Sequence, residues 1–149
     1  MTFSQKLSIF LLRISAGWLF FYAGITKVTN PDWSAAGYLS NAKMFAGFYN
    51  WLLEPGILPI INFTNEWGLT LLGISLMLGI GVRWSSTLGA ILMLLYYFPI
   101  LDGAYPNPHS YIVDEHIIYA LALMVLAYFH AGSAWGVGRF FPRLQRLMD

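Results

Sequence analysis

Six side chains could handle protons or stabilise charge in this sequence, and each stands in or beside a strongly apolar run: Arg13, Lys27, Glu66, Asp114, Glu115 and His116. An imidazole titrates near neutral pH and can carry a proton or donate a hydrogen bond. An ammonium group stabilises an oxyanion as it develops, and carboxylates pass protons when held in reach. Burying one such group in lipid costs roughly 2.5–3.5 kcal/mol on insertion scales, so each marks a candidate site. There is a plainer account for the acids. Glu66, Asp114 and Glu115 begin apolar runs, where a carboxylate steadies the positive end of a helix by ~0.3–1 kcal/mol. That account leaves Lys27 and His116, at the same depth, unexplained.

The rest of the chemical inventory is exclusions. The chain has no cysteine, so it forms no disulfide, thiol nucleophile, thiolate metal site or CxxC pair. Of its three histidines, His109, His116 and His130, the last two are too far apart on one helix to share an iron. No HExxH-type spacing occurs, and neither a metal nor a haem is expected. A net charge of +1 gives no basic surface for nucleic acid. Asn62-Phe63-Thr64 matches a glycosylation sequon, a three-residue pattern that arises by chance and is discounted, and Gly79-Ile80-Gly81 lacks the third glycine and acid of a dinucleotide fingerprint.

The elements that position these groups are read from hydropathy. With 58% hydrophobic and 10% charged residues, the chain departs far from a typical soluble domain at ~25% charged. Its 149 residues fit a single domain. Helical spans need roughly 17–25 apolar residues, and four runs qualify: residues 7–28, 66–82, 85–101 and 115–131. The expectation is an all-α, four-helix transmembrane bundle. A tight turn at Val82-Arg83-Trp84 joins spans two and three. The long connection from 29 to 65 carries Trp33, Tyr38, Phe45, Phe48, Tyr49 and Trp51, a composition suited to interfacial helices. Pro55 and Pro59 break the chain before span two. The second outer loop, 102–113, reads as irregular.

Four spans place both termini on one side. Lys6, Arg83, Arg139, Arg143 and Arg146 lie on that side against Lys27 and Lys43 on the other, so the positive-inside rule makes both termini cytoplasmic, in a multi-pass plasma-membrane protein. Along span one, Arg13, Gly17, Phe20, Gly24 and Lys27 fall within about 40° of one line. Such a stripe belongs inside a bundle, although Arg13 is near enough to the membrane surface to snorkel instead. Glu66 continues along its helix face to Thr70, Gly73 and Met77, and Glu115 to Tyr119 and Ala122.

The runs RISAGWLFFYAGITK at Arg13–Lys27, SAAGYL at 34–39, EWGLTLLGISLMLGIGVR at 66–83 and DEHIIYAL at 114–121 resemble, in order and spacing, the DoxX family of four-span membrane proteins. Within it they look most like the branch of DoxD, the small subunit of thiosulfate:quinone oxidoreductase. The positions matching the family's motifs are Arg13, Lys27, Glu66, Arg83, Glu115 and His116. The resemblance implies a membrane subunit of a quinone-linked redox system working with a second subunit or as a homo-oligomer. In that reading His116, Glu115, Glu66 and Lys27 carry the chemistry, and Arg13, Arg83, Asp114, Tyr119 and Trp67 surround the ligand, with Trp33 and Tyr38 as further aromatic walls. Two other classes compete: a non-catalytic anchor or assembly partner, and a small-solute transporter or sensor.

Overall fold

The computed structural model describes residues 1–137; Arg139, Arg143, Arg146 and Asp149, used above for orientation, lie outside them. The described residues hold six α-helices and no named strand: α1 (Phe3–Val28), α2 (Ala36–Ser40), α3 (Ala46–Trp51), α4 (Leu58–Leu78), α5 (Val82–Ile100) and α6 (Glu115–Tyr128), followed by a 3-10 turn at Ala131–Ser133. The fold is all-α, as the composition suggests. α1 packs along α4 and α5 along α6, with lighter contact between the pairs.

Helix α1 starts on a capping box, in which the Thr2 hydroxyl accepts from the Gln5 backbone and the Gln5 side chain accepts from the Thr2 backbone. Its buried residues are Arg13, Gly17, Phe20 and Gly24, four of the five in the proposed stripe. The two glycines let α4 approach closely. A Cβ on Gly24 would meet the Thr70 backbone, and one on Gly73 would meet the backbone of Phe21 and Gly17. The α1–α4 seam is therefore set by backbone contact, with no room for larger residues.

Helix α1 begins at Phe3, four residues before the expected start at Leu7, and three further boundaries differ from the hydropathy reading. Helix α4 begins at Leu58, eight residues before Glu66, and Pro59 sits in its first turn. Proline has a helical φ, and its missing N–H is not needed there, so it starts this helix instead of breaking the chain. Asn62, Asn65 and Glu66 had masked the helix by making its outer end polar. Glu66 consequently lies inside a helix, and the helix-start account of its charge falls away. The turn after α4 is Gly79-Ile80-Gly81, not 82–84. Both glycines have positive φ, 73° and 63°, and Arg83 belongs to the first turn of α5. Lastly, α6 stops at Tyr128 rather than Ala131, because His130 turns the chain at φ 48°.

The aromatic connection does form two short helices, α2 and α3. They share a small core of Ala35, Leu39 and Tyr49, packed on Trp33, Leu58, Ile61 and Phe98. Proline at 99 explains how this lid is fastened. Lacking an N–H, Pro99 leaves the carbonyl of Leu95 without its helical donor, and the Tyr49 hydroxyl donates to that carbonyl at 3.0 Å. One residue group away, Lys43 N–H donates to the Pro99 carbonyl at 2.9 Å, and the Tyr38 hydroxyl donates to the carbonyl of Tyr96. From α4, Asn62 accepts from Ala35 N–H at 2.9 Å and donates to Ser34 Oγ, so the sequon asparagine is a staple of the loop.

The long helices enclose a central core of Phe20, Leu69, Leu76, Met93, Leu123 and Leu126, yet they are apolar on the outside as well. Arg13, Thr70, Ser85, Ser86 and Asp114 are buried, while Trp18, Phe63, Leu71, Leu88, Ile91, Ile118 and Met124 are exposed on the four long helices. By length and composition together, Phe3–Val28 is the one described helix able to cross a membrane; α6 is apolar but has 14 residues, about 21 Å. Arg83 and the serines at the start of α5, like the asparagines of α4, lower the apolarity of those helices.

Candidate functional site

A cavity of about 430 Å³ opens where the lid covers the ends of the long helices, within the size range of ligand pockets. Every long helix contributes to its wall: Lys27 from α1, Asn65 from α4, Tyr96 from α5 and His116 from α6, while Trp33, Tyr38 and Tyr49 come from the lid. Apolar Leu39, Leu52, Ile61, Leu92 and Leu95 fill the remaining wall.

His116 is held by its neighbour. Asp114 caps α6, its Oδ1 accepting from the backbone N–H of His116 at 3.0 Å and of Ile117 at 3.3 Å. The other carboxylate oxygen lies 2.7 Å from Nδ1 of His116. Asp114 is 4% exposed, so this carboxylate–imidazole pair is shielded from water. It fixes the ring with Nδ1 toward the acid, leaving Nε2 as the atom available to anything in the cavity. The Tyr96 ring meets the imidazole edge-on at 6.3 Å.

Tyr96 is the hub of a polar chain along the wall. Its hydroxyl donates to Asn65 Oδ1, and Asn65 Nδ2 donates to the Ile61 carbonyl at 3.2 Å. Tyr38 stands edge-on to Tyr96, with centroids 6.0 Å apart. Burial, then Tyr49 and the carboxylates of Asp114 and Glu115, push the Tyr38 hydroxyl above its ordinary pKa, so it remains a donor at neutral pH. Lys27 Nζ donates to the Ala23 carbonyl at 2.8 Å and lies 5.4 Å from the centre of the Trp33 ring, a cation–π arrangement.

The structure thus gathers Lys27, Asp114 and His116, with Trp33 and Tyr38, from the sequence reading. It does not gather the others. Glu66 is half-buried on α4 outside the cavity, and its carboxylate has no hydrogen bond or ion pair among the described residues. Trp67 is 40% exposed and turns outward onto Phe63. Glu115 is exposed at the start of α6, and Tyr119 packs against the central core. Arg13 and Arg83 are at the opposite end of the fold. Arg13 is 0% exposed, which answers the snorkelling alternative: its Nη2 donates to the Ala134 carbonyl at 3.2 Å, and its Nη1 packs beside Gly79 and Gly136.

Asn65, Tyr96 and Tyr49 were not foreseen. Asn65 carried a signal, since an amide one residue before Glu66 on an apolar helix needs a partner. Tyr96 had none, being one tyrosine among nine, and Tyr49 was read only as part of the aromatic connection. The acidic start of α6 also forms a possible cation cluster: ligand atoms of Asp114, Glu115 and His116 lie within 4.8 Å of one another. Both oxygens of Asp114 already serve the helix cap and the imidazole.

Compared with known protein families, residues 8–100 match the DoxX model, well over half of the chain. The chain belongs to the DoxX family. It is thereby a member of a membrane-protein family. The DoxX match contains Arg13, Lys27, Trp33, Asn65 and Tyr96, and ends before Asp114 and His116. No curated protein and no solved structure matches the chain.

Proposed function

We propose that this DoxX protein is a multi-pass subunit of a quinone-linked oxidoreductase and that the lidded cavity receives a quinone ring. The observation that carries the reading is the wall itself. Lys27, Tyr38 and His116 converge with Trp33 and Tyr96 on one apolar cavity of about 430 Å³, which suits a flat ring with polar oxygens at its edge. When bound, a quinone supplies the electron-accepting chemistry, taking two electrons and two protons. The chain's residues would orient and protonate: His116 donates one proton from Nε2 to a carbonyl oxygen, with Asp114 stabilising the charged ring before transfer, and the second proton reaches the other oxygen from water at the cavity mouth. Lys27 stabilises negative charge at the oxygens, and the Tyr38 ring, its hydroxyl held on the Tyr96 carbonyl, forms part of the aromatic wall. Electrons come from a donor held by a second subunit, and thiosulfate is the donor class of the DoxD branch.

The same reading places all four long helices in lipid, because their outward faces are apolar along their middles, while the exposed charges Lys6, Arg83 and Glu115 stand at helix ends and Arg13 is buried. Lys6, Arg13 and Arg83 then share the cytoplasmic end with both termini, in the plasma membrane, and the cavity opens in the outer leaflet. Binding of a short-tailed quinone analogue to the detergent-purified chain, followed by tryptophan fluorescence through Trp33, tests the site. His116→Ala and Lys27→Met should each weaken binding about tenfold while helix content is kept. Unchanged affinity in both variants overturns the reading.

A second reading, a non-catalytic anchor for a partner complex, is favoured by the exposed Tyr105, Tyr111, Ile112 and Val113 of the outer loop. It predicts a copurifying partner lost on Tyr111→Asp, with the cavity dispensable.

A further inference from the structure

The loop that delivers Asp114 to α6 contains a strained turn. Four described residues other than glycine have positive φ, namely Phe45, Ile112, His130 and Trp135, and Ile112 at φ 59° is the β-branched one, the type that tolerates this region least. Around it, Val113 N–H donates to the Tyr111 carbonyl at 2.6 Å. That is a γ-turn with positive φ at its centre, the rare and strained form. The Ile112 side chain is 51% exposed, so its own burial does not offset the strain. Its backbone is what holds it. The Ile112 N–H donates to the Ala104 carbonyl at 2.8 Å, and the Ile112 carbonyl accepts from the hydroxyl of Tyr97 on α5. Tyr97 is buried and lines no part of the lidded cavity.

Two residues beyond Ile112 the chain reaches Asp114, which caps α6 and holds the His116 ring at 2.7 Å. Adjacent tyrosines of α5 thus serve one imidazole. Tyr96 meets the ring edge-on, and Tyr97 anchors the loop that brings its acid. We infer that Tyr97, acting through the Ile112 carbonyl, is a positioning residue that keeps the strained turn closed, so that Asp114 holds His116 with Nε2 toward the cavity. Backbone in a sparsely populated region persists only where its surroundings over-determine it, and such residues cluster at ligand sites. Glycine would make this turn without strain. Isoleucine makes it only while Tyr97 and Ala104 hold it, which couples the turn to the imidazole. What the oriented ring then does rests on the quinone reading of the cavity.

The test is imidazole nitrogen NMR of the detergent-purified full chain with isotope-labelled histidine, without quinone, at a pH where the ring is neutral. His116→Gln identifies the lines of His116 by their loss. The native ring should give one protonated and one bare nitrogen line, far apart, as a single tautomer held on Asp114. Tyr97→Phe should draw the two lines together as tautomers mix, and should weaken quinone-analogue binding about fivefold. Adding Ile112→Gly, which removes the strain, should restore both; adding Ile112→Val, still β-branched, should not. Lines that stay apart in Tyr97→Phe while its melting temperature falls make Tyr97 a loop anchor only and overturn the proposal. So do merged lines with full analogue affinity, equal rescue by glycine and valine, or no rescue by glycine. If Tyr97→Phe alone does not fold, the double variant with Ile112→Gly decides: a folded chain with separated lines supports the coupling, and merged lines or no recovery of folding overturns it. Lines that behave as expected in a chain that binds no quinone analogue at all support the coupling and overturn the quinone reading alone.

Discussion

Arg13 and Lys27 occupy the same stripe of α1, one near each end, and their surroundings are opposite. Arg13 is sealed among backbone: the Ala134 carbonyl, Gly79 and Gly136. It lines neither the lidded cavity nor the groove between α5 and α6, and its Nε and Nη1 have no hydrogen-bond partner among the described residues. Lys27 stands at the wall of a cavity, over an indole and across from an imidazole. One cation is part of how the helices lock together, at the C-terminal end of α4 where positive charge is favoured. The other faces space. A charge in an apolar helix is thus not by itself a site; what separates the two cases is whether the groups around it leave room for another molecule.

The largest effect that would sharpen this contrast lies in the seam between them. Gly73→Leu drives a side chain into the backbone of Phe21 and Gly17 and should cost about 3 kcal/mol or more, read as loss of helical signal and monodispersity in detergent. Arg13→Ala leaves a void and an unpaired Ala134 carbonyl. It should cost about 2–4 kcal/mol yet leave quinone-analogue affinity of the folded fraction unchanged. A loss of affinity without a loss of stability would break the contrast, making Arg13 a ligand group.

At the lidded end the effects are smaller and local. Tyr49→Phe removes the donor to the Leu95 carbonyl and should weaken the lid by about 1 kcal/mol, seen as roughly fivefold faster hydrogen exchange over residues 36–51. Adding Pro99→Ala gives that carbonyl a helical N–H and should keep the lid loose while restoring α5. Lys43→Ala breaks an exposed ion pair to Asp102, at 2.7 Å with both side chains more than half exposed. It should cost under about 1 kcal/mol, and a larger cost would mean the lid depends on charge, not on the carbonyls freed by Pro99.

How much of this was legible depended on the kind of signal. The all-α architecture, the α1 stripe and the aromatic lid follow from hydropathy and periodicity, because glycine spacing and clustered aromatic rings are local facts. The start of α4 was hidden by Asn62, Asn65 and Glu66, which look like loop when their partners across space are unknown. Lys27 and His116 were found because ionisable groups in apolar runs demand explanation. Glu66 and Glu115 were picked up by the same rule, and Trp67 as an aromatic wall, but all three lie outside the cavity, since linear position gives depth along a helix and not direction around it. Asn65 and Tyr96 join the site only through the packing of α4 against α5.

The most direct test is photolabelling of the purified chain with an azidoquinone, followed by peptide mapping. The account predicts that label concentrates on the cavity wall, at Lys27, Trp33, Tyr38 or Tyr96, is competed by unlabelled quinone, and falls sharply in His116→Ala. Label spread over the apolar outer faces of the helices, with no competition and no change in His116→Ala, would contradict it.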